Sequence, residues 1–245
     1  MHTQIVLFDG FDPLDVIAPF EVFQAGGTAS GGRVSVELVS AEGPREVVGG
    51  SGALALRAAA ALDPARPGLV LVPGAAGRVG EPGEVPDADP LPASALRSDA
   101  AERRQEGRRD APRDEPVPAL LARTLATELP DMLAEAMRNP RVTVCGVCGG
   151  SLIPAMAGLL EGRHATTHHL GLDMLDATGA HAVPARVVDD GDLVTGGGVT
   201  SGLDLALYML EREVGPQIAH AVEDLFEHER RGTVWRDRGP SPAAL

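Results

Sequence analysis

The chain has few aromatic residues and little positive charge. Aromatic side chains make up 3% of its 245 residues, so the stacking platforms on which single-stranded nucleic acids bind are largely missing. The formal net charge is −14, whereas nucleic acids and anionic membranes are bound by basic surfaces. We therefore expect neither a nucleic acid nor a membrane as a partner.

Long apolar runs are also missing. No run approaches the length of a membrane-spanning helix, and the apolar residues 5–8 are too few, and too soon followed by acidic residues, for a secretory signal. This pattern favours a cytoplasmic protein.

Cysteine is scarce as well: Cys145 and Cys148 are the two in the chain. Two cysteines in a chain of this length do not make a disulfide framework. Cys145 is interpreted as a buried strand residue, with a redox pair or half of a zinc site as the alternatives. Four histidines in the second half lack a cysteine or carboxylate partner at zinc spacing, so no metal site is expected. They are His164, His168, His169 and His181.

The order of the apolar segments predicts an α/β fold. Hydrophobic residues make up 44% of the sequence, which is enough for one full core. Alternating strands and helices indicate a mostly parallel sheet covered on both faces, with active-site residues at the carboxyl ends of strands. We predict strands at residues 4–8, 34–40, 69–72 and 141–145, near Ala165, and around Val187 and Leu193; a hairpin around Gly49-Gly50; and helices at 14–25, 151–160, after His169, at 201–213 and at 216–230.

Residues 78–118 break this pattern. They contain seven prolines and many charges, with little apolar periodicity. The segment is predicted to be a flexible insertion with one short helix near residues 100–105. It leaves the strand end near Gly74, so it is interpreted either as a lid over the site or as a surface loop. The expected organisation is a single domain at residues 1–238, with this insertion and a frayed tail at 239–245.

The stretch Gly146-Val147-Cys148-Gly149-Gly150 is typical of a nucleophile elbow with cysteine in place of serine. It follows an apolar strand and precedes a segment rich in alanine and leucine. Small flanking residues suit a strained turn, and a helix N-terminus favours thiolate over thiol and can hold an anion. Cys148 is therefore predicted to be a nucleophile rather than a buried apolar cysteine.

Four further stretches are expected to lie near the cysteine. Asp15 lies in the first turn of the first helix, where it can be an acid beside the thiol or merely a partner of the helix dipole. Gly74 follows a central strand and offers approachable amides. His168 is predicted to be a partner of Cys148 that orients the thiol or relays its proton; the alternative is a hydrogen-bonded histidine at the rim of the site. Thr200, or Ser201, opens the next-to-last helix and offers a hydroxyl group.

Several separate motifs resemble the ThiJ/PfpI superfamily, and within it the isonitrile hydratases. The resemblance covers nearly the whole chain except the insertion and the last dozen residues. The motifs that carry it are Leu14-Asp15-Val16-Ile17-Ala18-Pro19-Phe20-Glu21-Val22-Phe23, Leu71-Val72-Pro73-Gly74, Val147-Cys148-Gly149-Gly150, the stretch 158–168, and the stretch 194–204.

The resemblance implies a flavodoxin-like three-layer sandwich with Cys148 as nucleophile and Asp15 as its acidic partner. It also implies an oxyanion-type pocket built from the amides of Ala75 and Gly149, with His168 near the cysteine. No cofactor is implied, the substrate is a small molecule, and the assembly is a homodimer. Two positions depart from the family pattern: Gly149 stands where the hydratases have threonine, and Ala75 stands where a second glycine is expected.

The favoured function is cofactor-free conversion of an isonitrile to an N-substituted formamide. Other activities of the superfamily on small carbonyl compounds, of the glyoxalase, deglycase or redox-stress kind, are alternatives, and a peptidase has no separate support. A ligand-binding regulator is a further alternative, because the same fold forms the sensor half of AraC-type regulators. Few residues follow Arg231 and the net charge is unsuited to DNA, so an enzyme is expected.

Overall fold

The computed structural model describes residues 1–78 and 115–239. Most of the strands belong to one sheet, and two short pairs lie outside it. The strands are β1 (His2–Val6), β2 (Ser35–Ser40), β3 (Arg45–Val48), β4 (Ala55–Ala58), β5 (Ala60–Ala61), β6 (Gly68–Val72), β7 (Val142–Val147), β8 (His164–Ala165), β9 (His181–Ala182), β10 (Val187–Asp189) and β11 (Leu193–Gly196).

The main sheet has seven strands in the order β10-β11-β7-β6-β1-β2-β5. Every neighbouring pair in it is parallel except β10 with β11. The pair β3 and β4 forms an antiparallel hairpin, as the glycines between them predict. The predicted mostly parallel α/β fold is confirmed.

The helices form two groups. Helices α1, α6 and α7 pack on one another. In the second group, α4 contacts α2, α3 and α5, and α3 also packs on β7. Their bounds are α1 (Pro13–Ala29), α2 (Val117–Thr124), α3 (Leu129–Arg138), α4 (Leu152–Met156), α5 (Leu172–Ala177), α6 (Ser201–Glu213) and α7 (Pro216–Phe226), with 3₁₀ turns at Cys148–Ser151 and His169–Gly171. Among the residues described, no helix is long and apolar enough to cross a membrane.

The topology places the site. Strands β1, β6 and β7 are adjacent and parallel, so their carboxyl ends meet at one edge of the sheet. Strands β6 and β7 are rich in apolar residues, and all three strands are almost entirely buried. Asp15, Gly74 and Cys148 each follow one of these strand ends, and the fold therefore gathers residues that are far apart in sequence.

Two helices were not predicted. Helices α2 and α3 begin with Pro118 and Pro130 in their first turns, where proline loses no intrahelical hydrogen bond. In the sequence these prolines resemble helix breakers. The last two residues of the predicted insertion, Val117 and Pro118, are already helical. The short helix predicted near residues 100–105, and residues 79–114 of the predicted lid, lie outside the described residues.

Two predicted helices are shorter in the structure. The helix expected at residues 151–160 is reduced to α4, and Gly158 follows it with φ 75°, a conformation that ends helices. The helix expected at 216–230 ends at Phe226, because Glu227 is left-handed. His228 and Arg230 then turn back, and they pair with Asp204 and with Glu223 respectively.

Candidate functional site

Cys148 lies at a strained turn between β7 and α4. Its φ is 55°, in the left-handed region that non-glycine residues rarely adopt. The turn also needs a close backbone approach, because a Cβ on Gly150 would lie 2.1 Å from the Val72 carbonyl oxygen. The side chain is 8% exposed. This is the geometry of a nucleophile elbow.

The Asp15 carboxyl faces the elbow from α1. Its Oδ2 accepts a hydrogen bond of 2.9 Å from the Gly74 N–H. The Cys148 thiol lies close enough to this carboxyl for each group to shift the pKa of the other. Asp15 is fully buried, and its Oδ1 has no hydrogen-bond partner in the described part of the chain. One oxygen is thus held by the backbone and the other is left for a ligand or a proton.

Gly74 brings the acid and the thiol together. A Cβ added there would lie 2.7 Å from Asp15 Oδ2, 2.8 Å from the Gly149 nitrogen and 3.2 Å from the Cys148 Cβ. No side chain fits in this space. The structure therefore places Asp15, Gly74, Cys148 and Gly149 in one cluster, as the sequence predicts.

A short antiparallel ladder fixes the segment after β6 against the loop before α1. Phe11 bridges with Ala75, and the flanking bonds run from the Asp12 N–H to the Gly74 carbonyl and from the Ala76 N–H to the Gly10 carbonyl. In such a pair the N–H of the central residue points away from the partner strand. The amide of Ala75 is thus free of this ladder, which is what the predicted oxyanion role needs.

The environment of Asp15 favours its protonated form. Burial, and to a smaller degree the negative charge of Asp12, raise the pKa of Asp15 to about 8. The hydrogen bonds from the Gly74 amide and from Cys148 act in the opposite direction. Asp15 is therefore mostly a neutral acid at pH 7.

The structure does not support the predicted preference of Cys148 for the thiolate. Burial raises the pKa of the Cys148 thiol above its usual range, and the nearby Asp15 raises it further; the Gly149 amide lowers it. The following helix α4 has only five residues, so its dipole gives little help. In the free site the pair is protonated on both groups.

Cys145 lies three residues before Cys148, and it is less accessible to solvent. It is fully buried within β7 and is not disulfide-bonded. Burial raises its pKa to about 12. These observations agree with its interpretation as a buried strand cysteine.

His168 lies at the start of the 3₁₀ turn after β8. Its Nδ1 accepts the Leu170 N–H at 3.3 Å, which leaves Nε2 to carry the proton of the neutral ring. Burial and the neighbouring His169 lower the pKa of His168. The ring packs beside Gly198. Two hydrogen bonds connect this segment to the elbow: the Thr167 hydroxyl donates to the Cys148 carbonyl, and the Ser151 hydroxyl donates to the Thr166 carbonyl. Neither involves the imidazole.

Thr200 lies at the start of α6, as predicted, and its side chain is exposed. Its hydroxyl accepts a hydrogen bond of 3.1 Å from Arg186, and Arg186 also pairs with the buried Asp204. The Ser201 hydroxyl donates to the Gly198 carbonyl. The Ser201 hydroxyl thus holds the glycine-rich turn and the Thr200 hydroxyl holds Arg186, and the role of Thr200 toward the substrate stays a prediction.

Two residues of the site were missed by sequence reasoning. Leu121 of α2 is buried, and its Cδ1 would lie 3.1 Å from a Cβ on Gly149. Thr167 donates a hydrogen bond of 2.7 Å to the Cys148 carbonyl. Thr167 belongs to a motif that carries the resemblance, but no sequence signal distinguishes its hydroxyl from that of Thr166. Leu121 looks like any core leucine.

No metal-binding group of three or more histidine, cysteine or acidic side chains occurs among residues 1–78 and 115–239. The arrangement can hold a small molecule between an acid and a thiol. It can add a thiol to a polarised carbon and stabilise the developing charge with backbone amides.

The comparisons with known proteins agree with this geometry. Residues 122–212 match the family model described as the DJ-1/PfpI family. An isonitrile hydratase from Pseudomonas putida is 47% identical over 85 residues, which are 35% of this chain and 37% of that protein. The HTH-type transcriptional regulator CdhR from Pseudomonas aeruginosa is 34% identical over 106 residues, 42% of this chain and 31% of that protein. The chain thus covers about a third of these curated relatives.

Among solved structures, a ThiJ/PfpI family protein from Pseudomonas syringae superposes with a TM-score of 0.67 at 23% identity, covering 99% of this chain and 78% of that one. This likeness establishes the fold. With the family match over the segment that contains Cys148 and His168, and the elbow geometry at Cys148, the chain is identified as carrying a domain of the DJ-1/PfpI family.

Proposed function

We propose that the protein is a cofactor-free, cysteine-dependent enzyme that hydrates an isonitrile to an N-substituted formamide. The observation that carries this proposal is the buried Asp15 carboxyl, which has one oxygen on the Gly74 amide and the other without a partner among residues 1–78 and 115–239. Its raised pKa of about 8 keeps a proton available at neutral pH. The similarity to an isonitrile hydratase over a third of the chain adds support.

The first step adds the thiol across the isonitrile carbon. Asp15 gives its proton to the terminal carbon, and Sγ of Cys148 attacks the same carbon while the thiol proton passes to Asp15. The product is a thioimidate, R–N=CH–S–Cys148. A protonated Cys148 thiol is compatible with this step. The addition places one proton on the isonitrile carbon, and the thiol supplies the proton that restores Asp15.

The second step consumes water. Water adds across the carbon–nitrogen double bond: its oxygen bonds to the carbon, and one of its protons passes to the nitrogen through Asp15. The remaining O–H proton then passes to the sulfur, and the negative charge that develops on the oxygen as this proton leaves is stabilised by the amides of Gly149 and Ala75. The carbon–sulfur bond then breaks, and the formamide leaves as R–NH–CHO while the sulfur regains its proton. The sum is one isonitrile and one water giving one formamide.

The pocket wall beside Gly149 is apolar. Glycine has no hydroxyl to offer at this position, and the space next to it is occupied by Leu121. Water must therefore be oriented by backbone groups or by His168, whose Nε2 is not used by the Leu170 amide.

The test is incubation of the purified protein with isonitriles, among them cyclohexyl isocyanide, and detection of the formamide by mass spectrometry. Oxygen-18 from labelled water is expected in the product. Cys148→Ser and Asp15→Asn should each abolish turnover, whereas Cys145→Ala should retain it. Formamide production that survives in Cys148→Ser would refute the covalent route.

The pH profile gives a second test of the acid. A protonated Asp15 is required, so kcat/KM should fall as the pH rises through about 8. A profile that keeps rising above pH 9 would contradict the role of Asp15 as proton donor.

A ligand-binding role without turnover is the second candidate, favoured by the similarity to the regulator CdhR. It predicts that isonitriles or 2-oxoaldehydes raise the melting temperature without being consumed, and that Cys148→Ser keeps this shift. Consumption of a 2-oxoaldehyde in the same panel would instead point to a carbonyl-directed activity of the superfamily.

A further inference from the structure

We propose that Thr167 is a positioning residue that aims the Gly149 N–H at the sulfur of Cys148, acting through the Cys148 carbonyl. The inference rests on the proposed function only in that it concerns the same site. It begins with a short hydrogen bond: the Thr167 hydroxyl donates to the Cys148 carbonyl oxygen at 2.7 Å, and Thr167 is 2% exposed.

That carbonyl also accepts the Ser151 N–H within the 3₁₀ turn, and among side-chain hydroxyls Thr167 makes the shortest hydrogen bond to it. The Ser151 hydroxyl lies 3.4 Å from it but donates at 2.8 Å to the Thr166 carbonyl. Thr167 is itself held in place, because the preceding Thr166 N–H donates to the Thr195 hydroxyl of β11 at 2.8 Å. The Cys148 carbonyl is thus tied to a fixed point on the neighbouring chain segment.

The planarity of the peptide unit carries this restraint to the other side. The Cys148 carbonyl and the Gly149 N–H belong to one peptide plane, and no peptide bond in the described chain is cis. In a trans peptide the C=O and N–H point in opposite directions. A hydroxyl that holds the oxygen outward therefore holds the N–H inward, toward the site, where the Gly149 nitrogen lies 2.8 Å from the position of a Cβ on Gly74, next to Asp15 and Cys148.

The restraint matters because the turn is conformationally unusual. Cys148 has φ 55° and is followed by two glycines, whose backbones rotate easily. Without Thr167, only the 3₁₀ hydrogen bond from the Ser151 N–H would restrain the Cys148–Gly149 peptide, and its amide would turn away from the site more easily. Both the attacking sulfur and the oxyanion would then lose a donor.

The test measures the alkylation of Cys148 by iodoacetamide in a Cys145→Ala background, which needs no knowledge of the substrate. Thr167→Val keeps the shape and removes the hydroxyl, Thr167→Ser restores it, and Thr166→Val is the matched control. The Thr166 hydroxyl is buried but does not contact the elbow. The acidic groups near the thiol, Asp15 and Asp12, are the same in every variant.

Thr167→Val should alkylate about tenfold more slowly at pH 8, which corresponds to about one unit in the thiol pKa, while Thr167→Ser and Thr166→Val stay within twofold of the parent. Equal rates in Thr167→Val and Thr166→Val, or no rescue by serine, would overturn the proposal. If Thr167→Val does not fold, Thr167→Ala is measured against Thr167→Ser with the same criteria. Absence of isonitrile turnover together with the expected alkylation pattern would reject the proposed function and leave the role of Thr167 standing.

Discussion

At the scale of single residues, burial decides the chemistry of Asp15. An aspartate in the unfolded chain ionises near pH 4, whereas the pKa of Asp15 in the fold is about 8. Between these values the native protein holds a proton that the unfolded chain has released. The stability associated with this proton is fully present below about pH 4 and is lost as the pH rises through about 8.

We therefore expect the free energy of unfolding to fall between pH 5 and pH 9, and we expect Asp15→Asn to flatten this fall, because the amide does not ionise. Urea unfolding at both pH values measures it. The control Asp173→Asn changes an exposed acidic residue and should leave the slope unchanged. A wild-type slope that survives in Asp15→Asn would show that other groups cause it.

The two cysteines should differ sharply in reactivity. Cys148 is 8% exposed, whereas Cys145 is fully buried, and burial raises the pKa of both thiols, so access is what separates them. Sub-stoichiometric iodoacetamide should therefore label Cys148 first, with peptide mapping as the measurement. In Cys148→Ser the labelling of the native protein should disappear; preferential labelling of Cys145 would contradict the elbow geometry.

At the scale of elements, the junction of β6 and β7 depends on a glycine. The virtual Cβ of Gly150 meets the Val72 carbonyl at 2.1 Å, and a backbone atom cannot move aside as a flexible side chain would. Gly150→Ala should cost about 3 kcal/mol of unfolding free energy. Gly197→Ala is the control, because its Cβ would meet only contacts of 3.6 Å or more, and it should cost less than about 1 kcal/mol. Thermal or urea unfolding of both variants compares them directly.

The two ends of the predicted insertion are joined at its base. The Arg78 N–H donates to the Glu115 carbonyl at 2.9 Å, and the Val117 N–H donates to the Arg78 carbonyl at 3.1 Å. Because these ends already lie together, a much shorter connection can close them at little entropic cost. Replacing residues 81–114 by a Gly/Ser linker of about eight residues should therefore leave a soluble protein that melts cooperatively within a few degrees of the parent. An insoluble or non-cooperative product would show that the segment contributes to the core or to an interface.

At the scale of the whole molecule, the segment after α7 returns to the far edge of the sheet. The Trp235 N–H donates to the Val187 carbonyl, and the Trp235 carbonyl accepts the Asp189 N–H. Its ring packs 4.9 Å from that of His164. The edge strand β10 is thereby covered, which protects its free backbone groups.

Trp235→Ala should therefore destabilise the protein by about 2 kcal/mol, less than the loss of a fully buried tryptophan because this one is partly exposed. Chemical unfolding measures it. Leu225→Ala is the matched control, because that side chain is 67% exposed and its loss should be nearly neutral. If the two variants melt alike, the segment does not stabilise the fold. The homodimer implied by the resemblance stays a prediction at this scale.

The sequence by itself determined most of the alternating strands and helices and the mostly parallel sheet, and it singled out Cys148 as the candidate nucleophile. These follow from local patterns: strand and helix periodicity, and glycines around Cys148. Helices α2 and α3 were not predicted, because the sequence does not distinguish a proline in the first turn of a helix from a proline that breaks a helix.

The tertiary structure decided the protonation of the pair and the neighbours of the elbow. The pKa values of Asp15 and Cys148 depend on burial and on a carboxyl 133 positions away in sequence, and no local pattern reports either. The hydroxyl of Thr167 and the methyl groups of Leu121 likewise acquire their roles from contacts between segments. Desolvation and long-range contacts exist only once the chain is folded, so these features could be known only from the fold.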